Sequence, residues 1–154
     1  MTDHAIQLAT PQPAGEVFAT LRRYDRFPRY AGDILSVAVD GGTSRWVAGF
    51  RGGLVRWTQR DVPDPDRLRV DFEQVDGDFV DLSGGYAVEP HGSGCLVVYR
   101  VSVRTSVPHL AGAIDPMVAR VLLRAVLGVV SAACGPAEVL AGADALQDPP
   151  LPGR

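Results

Sequence analysis

The chain contains neither lysine nor asparagine, so all fifteen of its Lys+Arg cations are arginine. Eighteen carboxylates outweigh them to a net charge of −3, with no basic stripe to neutralise phosphates, which argues against a nucleic-acid partner. Cysteine is scarce. Cys95 and Cys134 stand alone without a CxxC pair, which excludes a disulfide framework and reads as two buried thiols in a reducing compartment. The histidines His4, His91 and His109 are scattered and no HExxH occurs, so neither a metal nor a cofactor is expected. No GxSxG elbow is present either, because Asp81-Leu82-Ser83-Gly84-Gly85 lacks the first glycine and lies within a strand pattern. Gly49-Phe50-Arg51-Gly52-Gly53 is glycine-rich, but it joins two strands and reads as a hairpin, not a phosphate cradle. No basic region followed by an apolar run opens the chain, so no signal peptide and a cytoplasmic location are expected. One long apolar run remains, residues 116–134. Arg120 and Arg124 sit in its middle, each costing about 2.5–3.5 kcal/mol at a bilayer centre. That run is a soluble helix with a wet side, not a membrane span.

What is present is alternation. The 154 residues are read as one domain over 1–140, with an Ala, Gly, Asp and Pro-rich tail from 141 to 154 that frays. His4–Leu8 reads as a first strand. Ala14–Arg22 carries Val17, Phe18 and Leu21 at helical spacing, and Asp25 caps a second short helix at Arg26–Ala31. Strands follow at Ile34–Asp40, Ser44–Phe50, Leu54–Val62, Arg67–Val75, Phe79–Glu89 and Cys95–Arg104, separated by Gly, Pro and Asp turns. The last helix reads as Pro116–Ala133, with Asp115 as N-cap. Val121, Leu122, Ala125 and Val129 face the sheet on an apolar stripe covering more than half its circumference. Many strands followed by one helix imply an α+β plan in which a curved antiparallel sheet grips the helix. The space left between them is a ligand cavity.

The alternation puts Trp46, Trp57, Gln59, Asp61, Phe72, Gln74, Tyr86 and Tyr99 on the inner face. A buried Gln or Asp costs several kcal/mol unless hydrogen-bonded, so these groups either bond to one another or orient a ligand between aromatic walls. A carboxyl in such a wall gains a raised pKa and can shuttle protons. His109 lies where the last strand crosses to the helix, at the rim of the cavity, and is a second acid–base candidate.

The segment Glu16-Val17-Phe18, Leu21 and Tyr24-Asp25-Arg26-Phe27-Pro28-Arg29-Tyr30 resembles the entrance of START-like proteins in their polyketide cyclase and coenzyme Q-binding branches. Phe72–Phe79 with Leu82–Pro90 is similar to their central strand pair, Gly94–Val103 to the closing strand and Leu110–Ala133 to the gripped helix. The resemblance spans about residues 3–135 and implies a helix-grip fold: a seven-stranded antiparallel sheet, two short helices after the first strand, and the long C-terminal helix. It further implies a cofactor-free aromatase/cyclase of secondary metabolism, such as antibiotic biosynthesis, in which the cavity folds a poly-β-ketone chain for aldol closure and dehydration. A polyketide-type ligand and an acyl carrier protein are the implied partners, with the protein a monomer or homodimer. Trp57 matches a pocket tryptophan, and Tyr30 stands where tryptophan is common. The family's oxyanion-stabilising arginine falls at Asp61 or, one residue away, at Arg60. On this reading Asp61, His109 and Gln59 carry the chemistry, while Trp57, Phe72, Gln74, Tyr86, Tyr99, Tyr30 and Trp46 bind substrate. Two rivals share the fold: a lipid or quinone carrier, and an antitoxin-like partner-binding module.

Overall fold

The strands foreseen from the alternation all form, and each pairs antiparallel with its neighbours. The computed structural model describes residues 2–50, 52–105 and 111–147. In chain order these give β1 (Thr2–Thr10), α1 (Ala14–Leu21), a 3₁₀ turn (Tyr24–Arg29), β2 (Ile34–Asp40), β3 (Thr43–Phe50) and β4 (Gly53–Asp64). Then come β5 (Arg69–Gly77), β6 (Phe79–His91), β7 (Gly94–Thr105), α2 (Ala111–Ala133), β8 (Glu138–Ala141) and a closing 3₁₀ turn (Ala143–Leu146). The sheet runs β2-β3-β4-β5-β6-β7-β1-β8, and its concave face holds α2, which is the helix-grip plan.

Three details differ from the sequence reading. An eighth strand pairs with β1 at Leu8–Val139 and Ala9–Glu138, so the order continues past 140. Ala141 pairs with Gln7, residues 143–146 form the closing 3₁₀ turn, and Arg124 Nε donates to the Leu146 carbonyl at 2.7 Å. Asp115 is not a cap: α2 begins earlier, and the Asp115 carboxylate, 3% exposed, accepts the Thr105 backbone N–H at 2.9 Å. The second short helix is a 3₁₀ turn over Tyr24–Arg29, with Pro28 inside it, because proline cannot supply the N–H an α-helical ladder needs. His4 is half-buried in β1 opposite Val101, and burial lowers its pKa.

Local chemistry explains how the entrance is set. Pro13, extended at φ −61° and ψ 145°, lends its carbonyl to the N–H groups of Glu16 and Val17 and starts α1. Val17, Phe18 and Leu21 then share the buried face. The following turn lies against α2 where a Cβ on Gly128 would sit 2.7 Å from the Tyr30 carbonyl oxygen. Only glycine permits that approach, and it lets Tyr24 and Phe27 point inward, 5% and 4% exposed.

The long apolar helix is consumed by the grip. Asp115–Ala133 is long and apolar enough to cross a membrane, but Ala119, Leu123, Val126 and Val130 are buried in the core, together with Ile6, Leu8, Val97, Val101 and Val103 from β1 and β7. Each large apolar side chain so buried contributes about 1.5–3 kcal/mol.

Candidate functional site

Trp46 and Trp57 are register partners across β3 and β4, and their indoles stack with centroids 5.7 Å apart and planes at 7°. An indole N–H only donates, so each ring must find an acceptor. Trp57 Nε1 donates to Gln59 Oε1 at 2.9 Å, and Gln59 Nε2 donates onward to Asp61 Oδ1 at 2.7 Å. Trp46 Nε1 donates to Ser44 Oγ at 2.8 Å, and Ser44 Oγ donates to Asp61 Oδ2 at 2.7 Å. The donor-only start fixes the direction of both chains. The amide of Gln59 and the hydroxyl of Ser44 have to present their protons to Asp61, one to each carboxylate oxygen.

Ser44 is fully buried and Gln59 is 5% exposed, so neither could sit there without these bonds. Asp61 is half-buried. Burial pushes its carboxyl above the usual range, while the bonds from Gln59 and Ser44 and the positive charge of Arg22 pull it back. The net direction is up. Of the two positions left open on this strand, Asp61 faces in, and Arg60 faces out toward Glu73 at 3.7 Å. The cation near the site comes instead from the end of α1, as Arg22, which caps that helix.

Beside this network lies a tyrosine cluster. The hydroxyls of Tyr24 and Tyr86 are 2.7 Å apart, and Tyr86 Oη reaches the Leu21 carbonyl at a long 3.5 Å. Tyr86 and Tyr99 are register partners on β6 and β7, stacked at 6.1 Å and 17°. Phe72 lies 5.9 Å from the Tyr99 ring. It fits because Gly84 opposite carries no side chain; a Cβ there would come within 2.9 Å of the Phe72 ring. Burial pushes the pKa of Tyr24, Tyr86 and Tyr99 upward, so all three remain neutral donors.

Between these rings, Gln59 and the Leu122–Val126 side of α2, the free volume is about 20 Å³, room for about one water. The ligand-sized cavity expected from the sequence is therefore filled by its own aromatic walls. A wider recess of about 580 Å³ lies on the opposite face of β2–β4, lined by Arg45, Arg56, Asp76 and Asp78. It is open to solvent and holds none of the buried polar groups.

The structure brings together Trp46, Trp57, Gln59, Asp61, Phe72, Tyr86 and Tyr99. Gln74 is not among them: its amide clamps the β5–β6 turn, with Nε2 on the Phe79 carbonyl at 2.9 Å and Oε1 on the Phe79 N–H at 3.3 Å. Tyr30 also lies elsewhere, half-buried beside Arg23, Arg26 and the end of α2. His109 falls outside the described residues. Sequence reasoning missed Ser44, Tyr24 and Phe27. The first was hidden as an ordinary strand start. The other two follow a 3₁₀ turn, for which no clean periodicity exists.

A family described as "Polyketide cyclase / dehydrase and lipid transport" matches residues 10–128. The chain belongs to that family. As a member of it, the chain shares its fold with several solved structures. A Thermus thermophilus protein aligns at 24% identity and TM-score 0.73, over 84% of this chain and 92% of that one. The two-domain aromatase/cyclase BexL of the BE-7585A biosynthetic pathway aligns at 23% identity and TM-score 0.66, over 84% of this chain and 45% of its own. The Zhui aromatase/cyclase from a Streptomyces species aligns at 17% identity and TM-score 0.64, over 87% and 96%. A search of the curated proteins finds no match.

Proposed function

We propose that this family member is a cofactor-independent cyclase/dehydratase acting on a hydrophobic, oxygenated polyketide-type intermediate, with Asp61 as the group that moves protons. The observation that carries the reading is the pair of hydrogen-bond chains from Trp46 and Trp57 that end on one half-buried carboxylate. A carrier of apolar ligands needs shape and apolar wall; an inward carboxylate would only weaken it. A carboxylate whose proton affinity is raised by burial suits exchange with a carbon acid such as a β-ketone. Each Asp61 oxygen accepts one bond from the network and keeps a second lone pair for substrate.

In aldol closure, Asp61 takes a proton from the carbon beside one carbonyl, and that carbon then attacks a second carbonyl further along the chain. The protonated carboxyl returns that proton to the alkoxide so formed. In the dehydration that follows, Asp61 removes a second proton from the same α-carbon and passes it to the departing hydroxyl, which leaves as water. The aromatic wall supplies the fold of the chain and excludes water. Because the closed interior has about 20 Å³ free, the rings part to admit a ligand.

Delivery by an acyl carrier protein belongs to the same reading. Arg22, Arg23, Arg26 and Arg29 are all exposed on the segment after α1, where Arg22 acts on Asp61, and in a chain of net charge −3 they offer a cationic face to an acidic carrier.

The test is cyclisation of a poly-β-ketone by wild type and Asp61→Asn. The substitution keeps the shape, and the rate should fall by about 10²–10⁴-fold. A rate within twofold of wild type sinks the assignment and leaves the carrier reading.

A further inference from the structure

Removing a proton beside a ketone leaves negative charge on the ketone oxygen, and that charge needs donors placed for it. The Asp61 network cannot supply them, since both its chains already end on the carboxylate. The tyrosine cluster can. The Tyr24–Tyr86 pair holds two hydroxyl protons, and the 2.7 Å bond between the oxygens uses one. The other reaches only the Leu21 carbonyl at 3.5 Å, the far limit of a hydrogen bond. The Tyr99 hydroxyl, on a residue 8% exposed, has no hydrogen-bond partner among the described residues. Two donors are thus under-used among buried side chains.

Their placement converges. Tyr86 and Tyr99 stand opposite each other on adjacent strands, with rings nearly parallel at 6.1 Å. Both side chains line the same cavity of about 20 Å³. The free volume there accepts one oxygen-sized group. The positive charge of Arg22 acts on Tyr24 and Tyr86, and the charge of Asp61 is felt at Tyr24 and Tyr99.

We infer that the Tyr86 and Tyr99 hydroxyls form a two-donor site for the carbonyl oxygen of an enolisable ketone, with Tyr24 positioning Tyr86. The inference rests on the cyclase reading and assigns the groups that hold its β-dicarbonyl unit as the enolate. The carbon–hydrogen bond breaks, and its proton goes to Asp61. Its electron pair forms the carbon–carbon double bond, and the carbonyl π pair moves onto the oxygen between the two hydroxyls.

Benzoylacetone is the probe, because its enolate absorbs at longer wavelength than its neutral forms; butylbenzene is the hydrocarbon control. Wild type should bind the enolate at least about 100-fold tighter than the neutral diketone, and Tyr86→Phe and Tyr99→Phe should each lose about tenfold of that preference. Butylbenzene affinity should change less than twofold in both, which shows the wall intact. No enolate preference in wild type, or equal losses for diketone and hydrocarbon, overturns the site. Asp61→Asn separates the two proposals: it should keep the enolate preference while slowing exchange of the diketone's α-hydrogens in deuterium oxide. Unchanged exchange in Asp61→Asn removes Asp61 as the base and leaves the two-donor site standing. Loss of the preference in Asp61→Asn overturns the two-donor site.

Discussion

Strands β1 and β7 turn Ile6, Leu8, Val97, Val101 and Val103 toward the gripped helix, each 1% exposed or less. Across the same concave face, β3 to β6 turn Trp46, Trp57, Phe72 and Tyr86 toward it, between 3% and 6% exposed. Burial is nearly equal in the two seams, but what it demands is not. Aliphatic side chains carry no polar atoms, so packing alone satisfies them. Indoles and phenols bring N–H and O–H groups inside, and each must be paired. In the aromatic seam the pairings of the two indoles run through Ser44 and Gln59 and end on Asp61. One seam holds the fold. The other organises a carboxylate.

The contrast can be broken at several strengths. The largest effect belongs to Asp61→Asn, whose loss of about 10²–10⁴ in cyclisation rate corresponds to about 3–5 kcal/mol on the barrier. Its pH dependence carries a sign. Because the folded carboxyl titrates above its unfolded value, the stability it contributes is present below the ordinary Asp range and lost as pH rises through the folded pKa. Catalysis runs the other way, since the base must be ionised: the rate should fall as pH drops through that raised pKa. Asp61→Asn should flatten both profiles, read by denaturant titration and by rate against pH.

Ile6→Ala strikes the aliphatic seam. It should cost about 2–5 kcal/mol of stability in urea unfolding, while the rate per folded molecule stays within twofold. A rate loss comparable to that of Asp61→Asn would show that the seams are not separable.

Ser44→Ala should cost less in stability, about 1–3 kcal/mol, because it orphans the Trp46 indole N–H. It also removes one donor to the charged carboxylate, so the acid limb of the rate profile should move to higher pH. A limb moving down, or not at all, would disconnect Ser44 from Asp61.

Smallest of all is Arg60→Gln on the outer face. The Arg60–Glu73 pair spans 3.7 Å with both side chains more than half exposed, so stability should change by less than about 1 kcal/mol.

Much of the site was legible because a period of two is a strong signal. Trp57, Gln59 and Asp61 alternate on one strand, and any register that buries Trp57 carries the other two inward with it. Gln74 obeyed the same alternation and still missed the site, since the Asp76-Gly77-Asp78 turn folds back beside Trp57 and lets Gln74 bond Phe79 instead. Tyr24 and Phe27 were invisible as wall residues for a different reason. They enter through a 3₁₀ turn whose position depends on Gly128, about a hundred residues later, allowing the Tyr30 carbonyl close to α2.

The sequence by itself determined the order of strands, the gripped helix and which face of each strand is buried, because side-chain alternation is a local property of an extended chain. It also put Asp61 on the face of Trp57 and Arg60 on the other, because neighbours on a strand alternate. Tertiary structure alone decided what that inward face meets, once β4 is fixed between β3 and β5. It likewise decided that the interior is closed to about 20 Å³ and that three tyrosines from separate elements meet beside one carboxylate. Packing volume and hydrogen-bond direction are relations between distant residues, and no local pattern encodes them.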